Sequence, residues 1–306
     1  MSGPEGVGTT APTRAGFVAL FGWTNVGKST LLNRLVGEKV AAVADVPQTT
    51  RNRILGVRTF PRRAQVVFAD APGFHRPKHR MNRAMVDIAR QSLAGVDVVL
   101  FIVDAGRGLG AGDEEAASVL KKVEAVRLAA LNKVDLVEPK SRLLPMMQRL
   151  VQTWGLAEAI PVSALTGDGC DLLLDRVVEL LPEGPFLFPE DSYTDQPERM
   201  LAAEWIREKL LRHTRQELPH ATAVVVDRWE ERPGGITAVE ATIYVERESQ
   251  KAIVIGKGGA LLKQVGTEAR QEIERLLGTQ VFLRLWAKVR PDWRDDENTL
   301  REIGLA

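Results

Sequence analysis

The stretch Gly22-Trp23-Thr24-Asn25-Val26-Gly27-Lys28-Ser29 fits the spacing G-x-x-x-x-G-K-[ST] of a polyphosphate-binding loop. Its two glycines let the backbone turn tightly and approach a phosphate chain. The amides of residues 25–29 can then point at phosphate oxygens, with the positive end of a helix behind them. Lys28 suits the β- and γ-phosphates, and the Ser29 hydroxyl suits Mg²⁺. Thr30 continues the loop into the helix.

Further motifs follow in the order such a site requires. In Asp70-Ala71-Pro72-Gly73, Asp70 is expected to hold Mg²⁺ through a water and the Gly73 amide to meet the γ-phosphate. In Asn132-Lys133-Val134-Asp135, the Asp135 carboxylate can accept from both the N1–H and the exocyclic NH₂ of guanine. Adenine has no such donor pair, so the base is expected to be guanine and the nucleotides GTP and GDP. Main-chain amides of Ser163-Ala164-Leu165 are expected to back that base. In Asp45-Val46-Pro47-Gln48-Thr49-Thr50-Arg51, a threonine can touch Mg²⁺ and the γ-phosphate only while that phosphate is present, which makes the loop a switch. We assign Thr50 as this ligand, with Thr49 as the close alternative. Phe74 stands where signalling GTPases carry a water-orienting glutamine, and a phenyl ring cannot do that work. Slow intrinsic hydrolysis follows, with Asn25, Lys28 and Thr50 as the expected catalytic residues.

The elements that must position these residues are legible as alternation. Strand patterns at 16–21, 53–58, 65–69, 96–103, 126–131 and 159–162 alternate with helical patterns at 30–36, 82–94, 113–123, 140–153 and 170–180. The expected fold is α/β, a doubly wound, mostly parallel sheet whose ligands bind at the carboxyl ends of the strands. Residues 1–15 read as a disordered leader, 16–181 as the nucleotide domain and 182–197, with four prolines, as a linker or a packed connection. A second, α+β domain spans 198–306. Its expected order is helix 198–217, strand 221–229, strand 236–246, short helix 249–254, loop 256–259, long helix 260–277 and strand 280–289.

The loop Gly256-Lys257-Gly258-Gly259 is a G-x-x-G between helices, the arrangement that clamps about four nucleotides of RNA in KH domains. Ile255, Gly256, Lys257, Gly258, Gly259, Lys263, Arg284, Lys288 and Arg290 form the expected RNA contact set. From Lys251 to Arg294 there are nine basic residues against four acids, although the chain as a whole carries only +1. His75 and His79 have a metal-compatible spacing but no third ligand, and are assigned to solvated or packing roles. Trp205, Trp229 and Trp286 are expected in the core, and Trp293 against a partner or the tail.

At 306 residues, 44% hydrophobic and 26% charged, the chain has the composition of an ordinary globular protein large enough for two cores. A single cysteine, Cys170, excludes an internal disulfide framework and suits a reducing compartment. No apolar run approaches a membrane span, and the first fifteen residues lack the apolar centre of a signal peptide. A cytoplasmic monomer is expected, with no DNA partner.

Asn25-Val26-Gly27-Lys28-Ser29-Thr30-Leu31-Leu32-Asn33, Pro47-Gln48-Thr49-Thr50-Arg51, the hydrophobic Phe74, the segment Pro185–Asp191 and the tail Trp293-Arg294-Asp295-Asp296 resemble the Era GTPases. The likeness covers about residues 16–304. It implies an N-terminal GTPase and a C-terminal type II KH domain that binds the 3′ end of small-subunit (16S) ribosomal RNA and assists 30S subunit maturation. It also implies a potassium ion held with help from Asn25. An alternative is a membrane-associated regulatory GTPase, peripheral on the inner face of the cell membrane, for which RNA is secondary. Trp23-Thr24 departs from the family pattern of a polar residue followed by proline.

Overall fold

The computed structural model describes residues 12–44, 46, 49–75, 80–214 and 218–305. The first domain runs β1 (Arg14–Phe21), α1 (Lys28–Val36), β2 (Ile54–Phe60), β3 (Ala64–Asp70), α2 (Arg80–Gln91), β4 (Val98–Asp104), α3 (Ala111–Leu120), β5 (Val126–Asn132), α4 (Leu143–Gln148), β6 (Glu158–Pro161) and α5 (Cys170–Leu180). The sheet order is β2-β3-β1-β4-β5-β6, with only the β2–β3 pairing antiparallel. β4, VVLFIVD, is apolar up to its final aspartate because helices cover both faces of the sheet. Alternate residues serve opposite cores: Val18, Leu20, Leu100 and Ile102 pack with α1 and α5, while Ala19, Phe21, Val99 and Phe101 pack with α2, α3 and α4. Since β1, β3, β5 and β6 are parallel, the four motifs that follow them emerge at one edge of the sheet.

The second domain runs α6 (Glu198–His213), α7 (Leu218–Ala221), β7 (Ala223–Arg232), β8 (Ile236–Val245), α8 (Glu248–Ile255), α9 (Ala260–Leu277), β9 (Gln280–Val289) and α10 (Glu297–Glu302). β7 and β8 form an antiparallel hairpin, and β9 returns parallel to β8 after the two-helix crossover. Leu201, Trp205 and Ile206 of α6, Val254 of α8 and Val265, Ala269 and Ile273 of α9 build one core against this sheet.

Several boundaries move from the expected ones. Arg14 and Ala15 belong to β1 rather than to a leader, because Ala15 N–H donates to Pro182 O and Arg14 Nη1 to Leu181 O. The helix expected over 198–217 ends at His213, where Thr214 turns extended and its hydroxyl takes the Leu210 carbonyl. The helix expected over 140–153 divides into 3-10, α and π turns. Segment 182–197 is no loose linker. Buried Gln65 holds Leu187 N, Phe188 N and Phe188 O, while Val57 N–H donates to Tyr193 O and Thr194 Oγ1 to Leu55 O. The segment thereby covers the β2 side of the sheet.

A fourth cluster forms the seam between domains. Met81 and Met85 of α2 pack with Ala223, Trp293, Leu300 and Leu305. Trp293 is wholly buried, and its indole N–H donates to Ala221 O at 3.0 Å. Trp293→Ala is expected to cost about 3–5 kcal/mol of unfolding free energy in a denaturant titration, the range for large-to-small changes at fully buried aromatics.

Candidate functional site

The loop between β1 and α1 has a backbone that few residues tolerate. Asn25 and Gly27 are left-handed, at φ 60° and 93°. A Cβ on Gly27 would lie 2.4 Å from Asn132 Nδ2, so a side chain there would displace the residue that braces the loop. Asn132, at the end of β5, donates from Nδ2 to Val26 O at 2.8 Å and accepts at Oδ1 from Ala164 N–H at 3.0 Å. One amide side chain therefore ties the phosphate loop to the loop after β6. Beside it, left-handed Lys133 donates to Asn25 O at 2.8 Å and pairs with Asp104 of β4 at 2.7 Å.

At the expected metal position three oxygens converge. Ser29 Oγ lies 2.6 Å from Thr50 Oγ1 and 2.7 Å from Asp70 Oδ2, with Thr50 Oγ1 at 3.4 Å from the same carboxylate oxygen. Asp70 is fully buried, and its Oδ1 has no partner. Hard oxygen donors with an orphaned carboxylate atom suit Mg²⁺, which favours such ligands and keeps several waters. Thr49 differs from Thr50: its hydroxyl donates to Val46 O at 2.7 Å. Burial pushes the Asp70 carboxyl up, opposed by Lys28 and the two hydroxyls, and pushes Lys28 down to about 8. Each buried charge lacks a full counter-charge, and a Mg²⁺–polyphosphate would supply both.

Thr50 is bracketed by the second domain. Arg207 of α6, 1% exposed, donates to Thr49 O, and Arg51 Nη1 donates to Thr222 O at 2.7 Å while stacking over Trp293 at 5.5 Å. Upstream, Val43 N–H donates to buried Glu208, which also pairs with Lys39 at 3.0 Å. Neither Arg207 nor Glu208 was singled out by motif. The available signal was the charged run Arg207–Lys209 set between the apolar pairs Trp205-Ile206 and Leu210-Leu211. Asp45, Pro47 and Gln48 of the switch lie outside the described residues, as does His79.

On the base side, Asp135 Oδ1 accepts from Ser163 Oγ at 2.6 Å. Arg34 of α1 donates to the carbonyls of Ala164 and Leu165, another brace the motifs did not mark. Val134 and Ala164 are buried, whereas Leu165 is exposed at the rim. Thr24, Asn25, Gly27, Lys28, Ser29, Thr30, Thr49, Thr50 and Gly73 line one cleft. Phe74 is buried: its N–H donates to Gly22 O, and its ring packs with Phe21 and Trp23 at 5.8 and 6.1 Å. Trp23 is held in this aromatic cluster. Ala71 and Pro72 are buried beside it. His75 Nδ1 donates to Gly73 O at 2.7 Å, and burial lowers its basicity, a packing role. No group of metal-ligating His, Cys, Asp or Glu occurs among the described residues.

In the second domain, Gly256, Gly258 and Gly259 all have positive φ, and Lys257 and Gly258 are exposed. Ile255 is half-buried, and Lys263 lies exposed on the first turn of α9. The structure divides the expected RNA set. Arg284 and Lys288 point to the sheet face opposite the helices, since their neighbours Val281, Leu283, Leu285 and Ala287 pack into the helical core. Arg290 is committed to Asp296 at 3.2 Å and Glu302 at 2.9 Å. The basic excess is also offset from outside the counted span, because Arg294 pairs with Glu246, Arg284 with Glu240 and Arg290 with Asp296 and Glu302. Trp205 is core as expected and Trp229 half-buried, but Trp286 is 48% exposed.

The profile of a family described as "50S ribosome-binding GTPase" matches residues 17–133, and a "KH domain" profile matches residues 217–294. GTPase Era of Geobacter metallireducens is 50% identical over 294 residues, covering 96% of this chain and 98% of that one. GTPase Era of Heliobacterium modesticaldum is 48% identical over 292 residues, covering 95% and 97%. A crystal structure of Era with MgGDPNP and nucleotides 1506–1542 of 16S ribosomal RNA superposes with TM-score 0.93 at 42% identity, covering 96% of this chain and 99% of that one. An Aquifex aeolicus Era variant bound to GDP·AlF4⁻ gives TM-score 0.92 at 41% identity, covering 96% and 100%.

The depressed basicity of Lys28 makes nucleotide binding pH-dependent with a definite sign. Phosphate restores the ammonium, so binding takes up a proton once pH exceeds about 8, and affinity falls as pH rises through that value. Calorimetry should show GDP affinity dropping there while guanosine, without phosphates, shows no such drop. Parallel profiles would contradict the role given to Lys28.

Proposed function

The chain belongs to the Era family of GTPases, and on that premise we propose that it is a GTP-hydrolysing switch that binds the 3′ end of 16S ribosomal RNA and assists maturation of the 30S subunit. The observation that carries this is the bracketing of Thr50: the residue that senses the γ-phosphate sits between two residues held by the second domain. Nucleotide state and domain pose are coupled through that seam, and the coupling of binding steps acts in both directions.

Within the site, the amides of 25–29 and Lys28 orient the phosphates of GTP. Ser29 and Thr50 would ligate Mg²⁺, with Asp70 behind a water; bound there, the ion neutralises charge that develops during phosphoryl transfer. The Gly73 amide meets the γ-phosphate, and Asp135 with the 163–165 backbone selects guanine. Phe74 cannot orient water and instead seals the apolar side of the cleft. Asn25, exposed at the mouth, helps hold a potassium ion that adds positive charge to the transition state. In the second domain the Gly256–Gly259 loop clamps the RNA backbone, with Lys257 and Lys263 on phosphates. We place the protein in the cytoplasm as a monomer whose contact with the membrane is at most peripheral; no described helix is long and apolar enough to span one.

Two measurements test this. The pair of changes Lys257→Asp and Gly258→Asp should abolish binding of a short single-stranded RNA while leaving GDP affinity intact; unchanged RNA affinity would sink the RNA assignment. GTP turnover should be faster in potassium than in sodium buffer of equal ionic strength. Equal rates would remove potassium from the mechanism.

A further inference from the structure

β9 is the free edge of its sheet and alternates strictly. Val281, Leu283, Leu285 and Ala287 turn to the helical core, while Phe282, Arg284, Trp286 and Lys288 turn to the open face. Phe282 and Trp286 are 44% and 48% exposed. They are not an isolated apolar patch. Arg232, at the end of β7, and Arg284, within β9, each place a guanidinium 5.5 Å from the Phe282 ring. Across the register, Glu240 lies beside Arg284 and pairs with it at 3.6 Å, Thr242 lies beside Trp286 and Tyr244 beside Lys288, while Arg232 lies 4.0 Å from Glu230; these are half-exposed, loosely spaced pairs that a phosphate can replace. Aromatics interleaved with cations on an extended strand form a stacking platform for single-stranded nucleic acid, whose bases meet the rings while its phosphates meet the cations. Rings and cations alternating along one extended strand, in the same domain as a G-x-x-G loop, match the base-and-phosphate repeat of a single strand, so the chemistry favours RNA.

Location supports continuity with the loop at Gly256–Gly259. α9 starts at that loop and runs antiparallel to β9, and Gly266 faces Leu285. Trp286 therefore sits about two helical turns from the loop, on the other side of the sheet's free edge. A strand leaving the loop and passing over that edge reaches Trp286 first and Phe282 next.

We propose that the open face of β9 is a second RNA contact, in which Trp286 and Phe282 stack bases of single-stranded RNA extending beyond the nucleotides clamped at Gly256–Gly259, with Arg284 and Lys288 on its phosphates. It rests on the RNA assignment above. The test compares the full-length protein with a Trp286→Ala/Phe282→Ala variant, whose side chains are half exposed and leave the core in place. One RNA is of about four nucleotides, the clamp's length, and a second of about twelve reaches the platform. The longer RNA should bind about tenfold or more weaker to the variant, the scale of losing stacked bases. The shorter should bind unchanged, and iodouridine in the longer one should photocrosslink to Trp286 or Phe282. Equal loss for both lengths, or no loss and no crosslink, overturns the proposal. So does a variant that keeps the longer RNA but loses 30S subunits, which would make the face a protein contact. If Gly258→Asp leaves both RNAs bound, it is the RNA assignment at the loop that fails, and a persisting Trp286 crosslink would then tell the two apart.

Discussion

Lys28 and Asp70 are buried close together, and each is held by neutral groups that cannot complete its charge. The Lys28 ammonium rests on the Trp23 carbonyl, and Asp70 on the Ser29 hydroxyl with one oxygen left over. Burial drives both toward neutrality, in opposite directions of pKa. A site of this kind is folded but electrostatically unfinished. The phosphate chain and its metal supply the missing charges, so the loops that carry ligands to that point gain their definition from the nucleotide. Thr50, 2.6 Å from Ser29, is the residue that the proposed reading makes the γ-phosphate-sensing ligand.

That dependence becomes useful only because Thr50 is not an isolated loop residue. Its neighbours Thr49 and Arg51 are tied to Arg207 and Thr222, and further along Asn52 donates to Ile303 O. α2, which follows the second phosphate-sensing segment, packs its methionines on Trp293 and receives Asp295 at its first residue. Both segments proposed to respond to the γ-phosphate thus end on the second domain. A shift of either must break buried hydrogen bonds or carry the RNA-binding domain with it, and unpaired buried guanidinium or carbonyl groups make the first course costly.

Much of this was legible in the chain. The strands of the first domain, α5, α9 and β9 fall within a residue or two of their patterns, because apolar periodicity and glycine caps such as Gly37 and Gly278 are local signals. The motif residues meet at one sheet edge, as parallel order requires. What pattern misjudged was partnership. Trp286 looks like core by type, yet strand parity places it with Arg284 and Lys288, away from the helical core, where it is 48% exposed. Arg284 and Lys288 look like companions of the Gly256–Gly259 loop, yet strand parity sends them the other way. The prolines of 182–197 fit a linker and a packed connection equally, and Gln65, which pins that segment to the sheet, decides for the second.

By itself the sequence determined the chemistry: a phosphate loop, a guanine-reading aspartate, two threonines in a switch and a G-x-x-G loop all depend on residue type at short spacing. Only the tertiary structure decided which threonine faces the metal position, that Asn132 and Arg34 brace the base loop, and that Arg207, more than 150 residues downstream, holds the switch. Contacts between positions far apart in the chain leave no periodic trace in it. They are set by which faces the two cores leave free and by which buried polar groups must then find one another.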